Sequence, residues 1–253
     1  MTQDKKLFYV SNAGILLQDN NNKILIDGLC DSKMPMFKNP PAEIRQDIIN
    51  GSPPYNNIDV MLFTHHHSDH FDSLSTSKYL SMNKETFVIS TPEVVSRINS
   101  HRTACSSSLI ELENCHSSKR MILKEIAITA IPLTHDGKDY KDVLHFGYLV
   151  ETNTLRILHI GDAEPSLENF ERLKSLHPKI DLLFVPFPFI GIPSRRKSIK
   201  EYINPSKIAV IHLPHQHLDA YNWIELTKKN FNRVRDNYIE TVFLEELGSF
   251  IEI

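Results

Sequence analysis

The segment Thr64-His65-His66-His67-Ser68-Asp69-His70-Phe71-Asp72 follows directly on the apolar run Asp59-Val60-Met61-Leu62-Phe63. The run reads as a buried β-strand, so the polar cluster occupies the loop at a strand's C-terminal end, where α/β folds carry their ligand loops. Imidazole and carboxylate donors at this density are the chemistry of a metal site. Alternate residues of an extended segment point the same way, so His65 and His67 can grip one ion, and Asp69 and His70, past the bend, face a second. His66 points away by the same alternation and reads as structural, and Asp72 reads as an acceptor that fixes the loop. A solvated histidine run is the plain alternative, but such runs seldom follow a buried strand.

One loop cannot close two coordination spheres. Three further donors cap apolar, strand-like runs downstream: His135 after Ile126 to Thr134, Asp162 after Leu155 to Gly161, and His212 after Lys207 to Ile211. Asp27, at the end of Ile24-Leu25-Ile26, is placed to orient a ligand histidine from behind, the alternative being a turn residue that ends a strand. In His212-Leu213-Pro214-His215-Gln216-His217, His215 or His217 could give a proton to a leaving group or bond a substrate, and either could equally be a solvated or capping side chain. Arg195, Arg196 and Lys197 offer a guanidinium for a phosphate or carboxylate, against the blander reading of an exposed helix start.

The order of these donors resembles the metallo-β-lactamase-fold superfamily of hydrolases, with its His-x-His-x-Asp-His array, lone His, Gly-Asp pair and late His, over about residues 7 to 253. The pairing of Thr134-His135 with Phe146-Gly147-Tyr148-Leu149-Val150-Glu151 and His159-Ile160-Gly161-Asp162-Ala163 is similar to the branch of ascorbate-6-phosphate lactonase and small phosphodiesterases. The resemblance implies His65, His67 and His135 on a first metal, Asp69, His70 and His212 on a second, and Asp162 bridging both. It implies one domain over residues 1–253, a four-layer αββα sandwich in which two mixed β-sheets are flanked by helices. Secreted β-lactamases of the superfamily have Cys where Asp162 stands, and transfer-RNA-processing relatives carry His-Glu-Ala-Thr where this chain has Phe184 to Gly191. Oxygen-reducing diiron relatives replace the second His by Glu, whereas His67 is present here.

Composition agrees. A chain of 253 residues with 41% hydrophobic content can bury a substantial core as one domain. A net charge of −3 predicts no polyanion-binding surface, so nucleic acid is not an expected partner. Neither a signal-peptide h-region in Met1 to Val10 nor an apolar stretch of membrane-span length is present, which predicts a cytoplasmic protein without membrane partners. Cys30, Cys105 and Cys115 lack Cys-x-x-Cys spacing and read as reduced thiols; Cys30 follows a strand and reads as a packed core thiol rather than a site residue.

Strand and helix signals alternate along the chain. Leu7 to Val10, Gly14 to Gln18 and Lys23 to Asp27 predict a β-meander. The Pro-rich stretch from Gly28 to Asn57 predicts a loop over the site with a short helix from Pro41 to Asn50, Pro41 in its first turn. Ser73 to Met82 reads as helix, Thr86 to Ser90 as strand, and Thr91-Pro92 as the N-cap and N1 of a further helix. Short strands from Leu109 to Glu151 predict an antiparallel or mixed half. A strand at Asp181 to Val185, helices near Ser194 to Ile203 and from about Tyr221, and a terminal hairpin across Leu247-Gly248 complete the reading. No internal repeat shows in the sequence.

The expected chemistry is attack by a hydroxide held on a dinuclear metal site, cleaving a phosphodiester or lactone of a small anionic metabolite, with Asp69, Asp162 and His215 as catalytic groups. Two divalent ions are expected, zinc first, with manganese and iron the other ions the donor set admits. A mononuclear iron oxygenase or redox enzyme and a non-catalytic, metal-stabilised binding protein are the competing readings. A homo-oligomer is compatible with the apolar Met34-Pro35-Met36-Phe37 segment.

Overall fold

The computed structural model describes residues 5–101, 109–113, 117–175 and 179–251. The chain falls into two compact units, Met1–Cys115 with Glu246–Ile253, and His116–Glu245. Cys105 and Cys115 lie outside the described residues.

The first unit opens with the expected meander, β1 (Lys5–Tyr9), β2 (Ile15–Asp19) and β3 (Asn22–Ile26), paired antiparallel. Asn20, at φ +54°, makes the β2–β3 turn in the left-handed region that Asn tolerates. Helix α1 (Ala42–Asn50) has Pro41 as its N-cap residue rather than in its first turn, and it ends on Gly51 in the left-handed conformation. Then follow β4 (Val60–Leu62), α2 (Ser73–Met82), β5 (Phe87–Ser90), α3 (Pro92–Asn99) and β6 (Leu109–Glu111), with β3 to β6 parallel. Asp72 and Thr91 cap α2 and α3 by accepting the amides of Ser75 and Val94. Leu16, Leu25, Met61 and Val88 stand in register across β2 to β5 and pack against Ile48, Tyr79, Leu80, Val94 and Ile98 of the helices. Each such aliphatic side chain contributes ~2 kcal/mol on burial.

In the second unit β7 (Lys119–Leu123), β8 (Ile126–Pro132), β9 (Phe146–Glu151) and β10 (Arg156–His159) are antiparallel neighbours. After α4 (Leu167–Lys174), β11 (Leu182–Pro186) adds parallel to β10. Two short helices follow, α5 (Pro188–Gly191) and α6 (Pro193–Ser198), the latter widening into a π-type turn at Ile199–Ile203. β12 (Lys207–Ile211), α7 (Trp223–Asn232) and β13 (Glu240–Phe243) close the unit, with β11 to β13 parallel. Here Leu149, Leu158, Leu183 and Ile208 form the cross-strand row, covered by Phe170, Leu173, Phe189, Ile199, Ile224 and Phe231.

The last strand, β14 (Phe250–Ile251), pairs antiparallel with β1. The expected terminal hairpin across Leu247-Gly248 is therefore absent: β13 belongs to one sheet and β14 to the other. Gly248, at φ +79°, marks the crossing from sheet to sheet rather than a hairpin turn. The sheets run β14-β1-β2-β3-β4-β5-β6 and β13-β12-β11-β10-β9-β8-β7. Read from β14 and from β7, both show three antiparallel pairings and then three parallel ones, a repeat of topology that the sequence does not display. Among the described residues no helix is long and apolar enough to cross a membrane.

Candidate metal centre

In the first unit the donors lie on the loop that leaves β4. Ser90 Oγ donates to the Phe63 carbonyl at 2.7 Å, and the Phe63 ring meets Phe71 edge-on at 4.9 Å, which roots the loop in the core. The amides of His70 and Phe71 both donate to the His67 carbonyl, at 3.0 and 2.9 Å, so the chain coils back after His67. The coil sets the His65 ring 4.5 Å from His67 and 4.2 Å from His70. His65 and His67 each offer a donor atom within 4.8 Å of the other's, as do Asp69 and His70. His66 turns to Glu93 at 3.2 Å, in keeping with its structural reading.

Asp27 organises this set. It is fully buried, with φ +46°, and one oxygen accepts the Thr64 amide at 2.8 Å. Its other oxygen lies 2.8 Å from Thr64 Oγ1 and 2.8 Å from His70 Nδ1. A carboxylate only accepts, so Thr64 Oγ1 and His70 Nδ1 must donate to it. The Thr64 hydrogen is then committed, and His65 Nδ1, 3.0 Å from Thr64 Oγ1, must be a donor as well. Both rings therefore carry their lone pair on Nε2, the state in which a neutral imidazole binds a metal. Gly14 permits this placement, since a Cβ there would lie 2.7 Å from the Asp27 carbonyl oxygen.

Asn12, which the sequence did not single out, donates from Nδ2 to Asp69 Oδ2 at 3.0 Å and is fully buried. The Pro-rich segment is tied to the same loop, by Asp31 N to Ser68 O at 2.8 Å and Asp72 N to Leu29 O at 2.8 Å. Cys30 is fully buried beside Asn39, and burial pushes its thiol up to about 12, as expected of a packed core thiol.

In the second unit His135, Asp162 and His212 come from the ends of β8, β10 and β12. His135 and Ala163 form an isolated antiparallel bridge, and the Asp136 amide donates to the Asp162 carbonyl at 2.8 Å. Asn169 on α4 clamps these loops: Oδ1 accepts the Thr134 amide at 2.9 Å, and Nδ2 donates to the carbonyls of Thr134 and Glu164 at 2.8 Å each. His135 Nδ1 lies 2.5 Å from the Asp136 carbonyl, so it carries the hydrogen and Nε2 the lone pair. His145 Nε2 accepts the Asp162 amide at 3.1 Å. Asp162 Oδ2 stands 3.1 Å from His212 Nε2 and 3.9 Å from His135 Nε2, so one carboxylate oxygen serves two imidazoles. His212 holds this position at φ +59°, a left-handed conformation that costs roughly 1–3 kcal/mol in a residue other than Gly.

Among the described residues the clusters of possible metal ligands do not include His215, His217 or Arg196. His215 begins a short turn, its carbonyl accepting Leu218 N at 2.9 Å, and its ring lies 5.3 Å from that of His217. Arg196 is buried and donates to the Ile190 carbonyl, which makes it a brace between α5 and α6 and not an exposed helix start. His145 and Asn169 escaped the sequence reading along with Asn12. Ser166, three residues before Asn169, is the cap of α4, and that cap was the available signal for the missed helix.

Imidazole nitrogens held as Nε2 donors, with carboxylates beside them, fit divalent cations, and the His/Asp clusters of both units could hold such ions.

The family model described as "Beta-lactamase superfamily domain" matches residues 22–194. Solved structures similar to the chain include a putative metal-dependent hydrolase from Parabacteroides distasonis ATCC 8503, 17% identical, with a TM-score of 0.64, 96% of this chain and 97% of that one being covered. Igni18, a metallo hydrolase from the archaeon Ignicoccus hospitalis KIN4/I, is 15% identical at a TM-score of 0.65, with 98% and 99% covered. CmlA, a diiron beta-hydroxylase from Streptomyces venezuelae, is 14% identical at a TM-score of 0.68; all of this chain is covered, and it spans 55% of that one. At these identities the likeness is one of fold. Among curated proteins none matches the chain.

Proposed function

This chain belongs to the β-lactamase superfamily, a family of metal-dependent hydrolases of metallo-β-lactamase fold, and on that premise we propose that it hydrolyses an ester-type bond, phosphodiester or lactone, in a small anionic metabolite. On this reading the donors of both units act as one hydrolase domain. In this proposal His65, His67 and His135 would hold one ion and Asp69, His70 and His212 a second, with Asp162, grouped with the second set, as the carboxylate that the family resemblance assigns to both. Zinc is the proposed metal, with manganese and iron as the alternatives the donors admit. When bound, a pair of divalent cations supplies Lewis acidity and lowers the pKa of water toward ~7.

The observation that carries the reading is the fixing of ring nitrogens in both units. Asp27 and Thr64 hold Nδ1 of His70 and His65, and the Asp136 carbonyl holds Nδ1 of His135, so three imidazoles are committed to donation through Nε2. A histidine cluster serving solubility alone would need no buried carboxylate behind it. In the proposed reaction Asp69, steadied by Asn12, would take a proton from the attacking water as its oxygen bonds to the phosphorus or carbonyl carbon, and His215 would give a proton to the leaving oxygen as its bond to that atom breaks. A small-molecule substrate, and not nucleic acid, accords with a net charge of −3; a cytoplasmic location belongs to the same proposal.

Elemental analysis of the purified protein, beside Asp162→Ala and His67→Ala, tests the reading together with assays on bis(4-nitrophenyl) phosphate and a simple lactone. Two zinc or manganese ions per chain, with metal and turnover lost in both variants and the fold retained, are expected. One iron per chain without hydrolysis would move the protein to oxygen chemistry. Full activity in either variant would overturn the ligand assignment.

A further inference from the structure

In the second unit an aromatic column runs outward from the strand end beside His212. Phe187 follows β11 directly, and its amide donates to the carbonyl of Ile211, the residue before His212, at 3.1 Å. The Phe187 ring stacks on Trp223 at 5.6 Å and 29°, and Trp223 stacks on Tyr221 at 5.0 Å and 23°. Phe187 and Trp223 are half-buried, whereas Tyr221 is 68% exposed.

The column is built, not incidental. Asn222 takes φ +54°, reversing the chain so that rings two residues apart lie on the same side. Asp219 accepts the amides of Trp223 and Ile224, both at 2.9 Å, and pins the start of α7. Gly191 allows α5 to approach α7, since a Cβ there would lie 3.0 Å from Thr227 Oγ1; this holds Phe187 against Trp223. A Tyr held nearly parallel to its neighbour and largely exposed has a flat π system in solvent, and the partner that suits it is another flat ring.

We propose that Phe187, Trp223 and Tyr221 form a substrate subsite that stacks a planar, unsaturated ring. The inference rests on the hydrolase reading and narrows its substrate class. The column leads away from the His212 strand end, so the ring belongs to the far end of an extended substrate whose anionic ester lies at the metal centre. Apolar side chains without a π face would gain area here but not the stacking.

The chain's single tryptophan, Trp223, makes binding visible in its own fluorescence. The zinc-loaded protein is titrated with 4-phenylbutyl phosphate and with 4-cyclohexylbutyl phosphate, which share charge and length and differ in the ring. The phenyl compound is expected to change Trp223 emission and to bind roughly fivefold tighter, the value of one aromatic pair. Tyr221→Leu should abolish that preference, and Tyr221→Phe should keep it. Equal affinities, no binding of either compound, or a preference that survives Tyr221→Leu would overturn the subsite. The titration needs no turnover, so a ring preference without any hydrolysis would leave the subsite standing and remove the reaction. Hydrolysis without a ring preference would do the reverse.

Discussion

Replacing Asp27 by Asn tests the logic of the first unit with little change of shape. The position sits at φ +46°, which Asn tolerates as well as Asp does, so backbone strain is conserved. The variant amide can keep the Thr64 N–H bond through its oxygen, but its NH2 then faces Thr64 Oγ1 and His70 Nδ1, where a carboxylate oxygen stood 2.8 Å from each. An NH2 only donates, so His70 Nδ1 must accept and its proton moves to Nε2, the nitrogen required by the metal. Loading an ion forces that proton back and sets donor against donor. A lost hydrogen bond to a charged group is worth about 1.5–3 kcal/mol. That translates into a roughly 10- to 150-fold loss of affinity for the ion on His70. Zinc competition against a chromophoric chelator measures the loss, and 15N chemical shifts report the His70 tautomer. Asp27→Asn protein with native affinity, or with His70 still protonated on Nδ1, would refute the argument.

Asn12→Leu removes the bond to Asp69 and should weaken metal binding by roughly tenfold in the same competition assay, with the melting temperature little changed. Asn169→Ala strands the Thr134 amide and the carbonyls of Thr134 and Glu164, and should cost about 3 kcal/mol in chemical denaturation. Because burial raises the Cys30 thiol from 9.0 to about 12, its protonated form is favoured by folding; that stability is complete below pH 9.0 and declines as pH rises toward 12. In the native protein at pH 8 the Cys30 peptide should accordingly escape alkylation by iodoacetamide and react only after denaturation, which mass spectrometry reads directly.

Much of the fold was legible because local signals were strong. Asp72 and Thr91 announce α2 and α3, and both helices begin where those caps place them. Val60 to Leu62 and Leu182 to Pro186 are buried along their whole length, as parallel strands are, and read as continuous apolar runs. β13, with Glu240 exposed and Thr241 to Phe243 half-buried, carried no such signal, and the expected hairpin assigned the chain before Leu247 the wrong partner: it pairs with β12. Gly248 looked like a hairpin turn because its left-handed backbone is a local property, whereas the sheet in which β14 finds a partner is not.

His65, His67, Asp69 and His70 were legible by spacing alone, because alternation along an extended chain and one turn of coil are short-range geometry. The sequence also ordered the remaining donors and placed each at the end of an apolar run, since a buried strand announces itself wherever it stands. Asn12, His145 and Asn169 carried no signal of their own, being single polar residues with partners in Asp69, Asp162 and Thr134, which lie 57, 17 and 35 positions away along the chain. The sequence already placed Asp27 to orient a ligand histidine, but only the tertiary structure fixed Thr64 and His70 as its partners, and so decided which nitrogen of each ring keeps its lone pair. A tautomer depends on the acceptor standing behind the ring, and which acceptor stands there is settled by the register of β3 against β4.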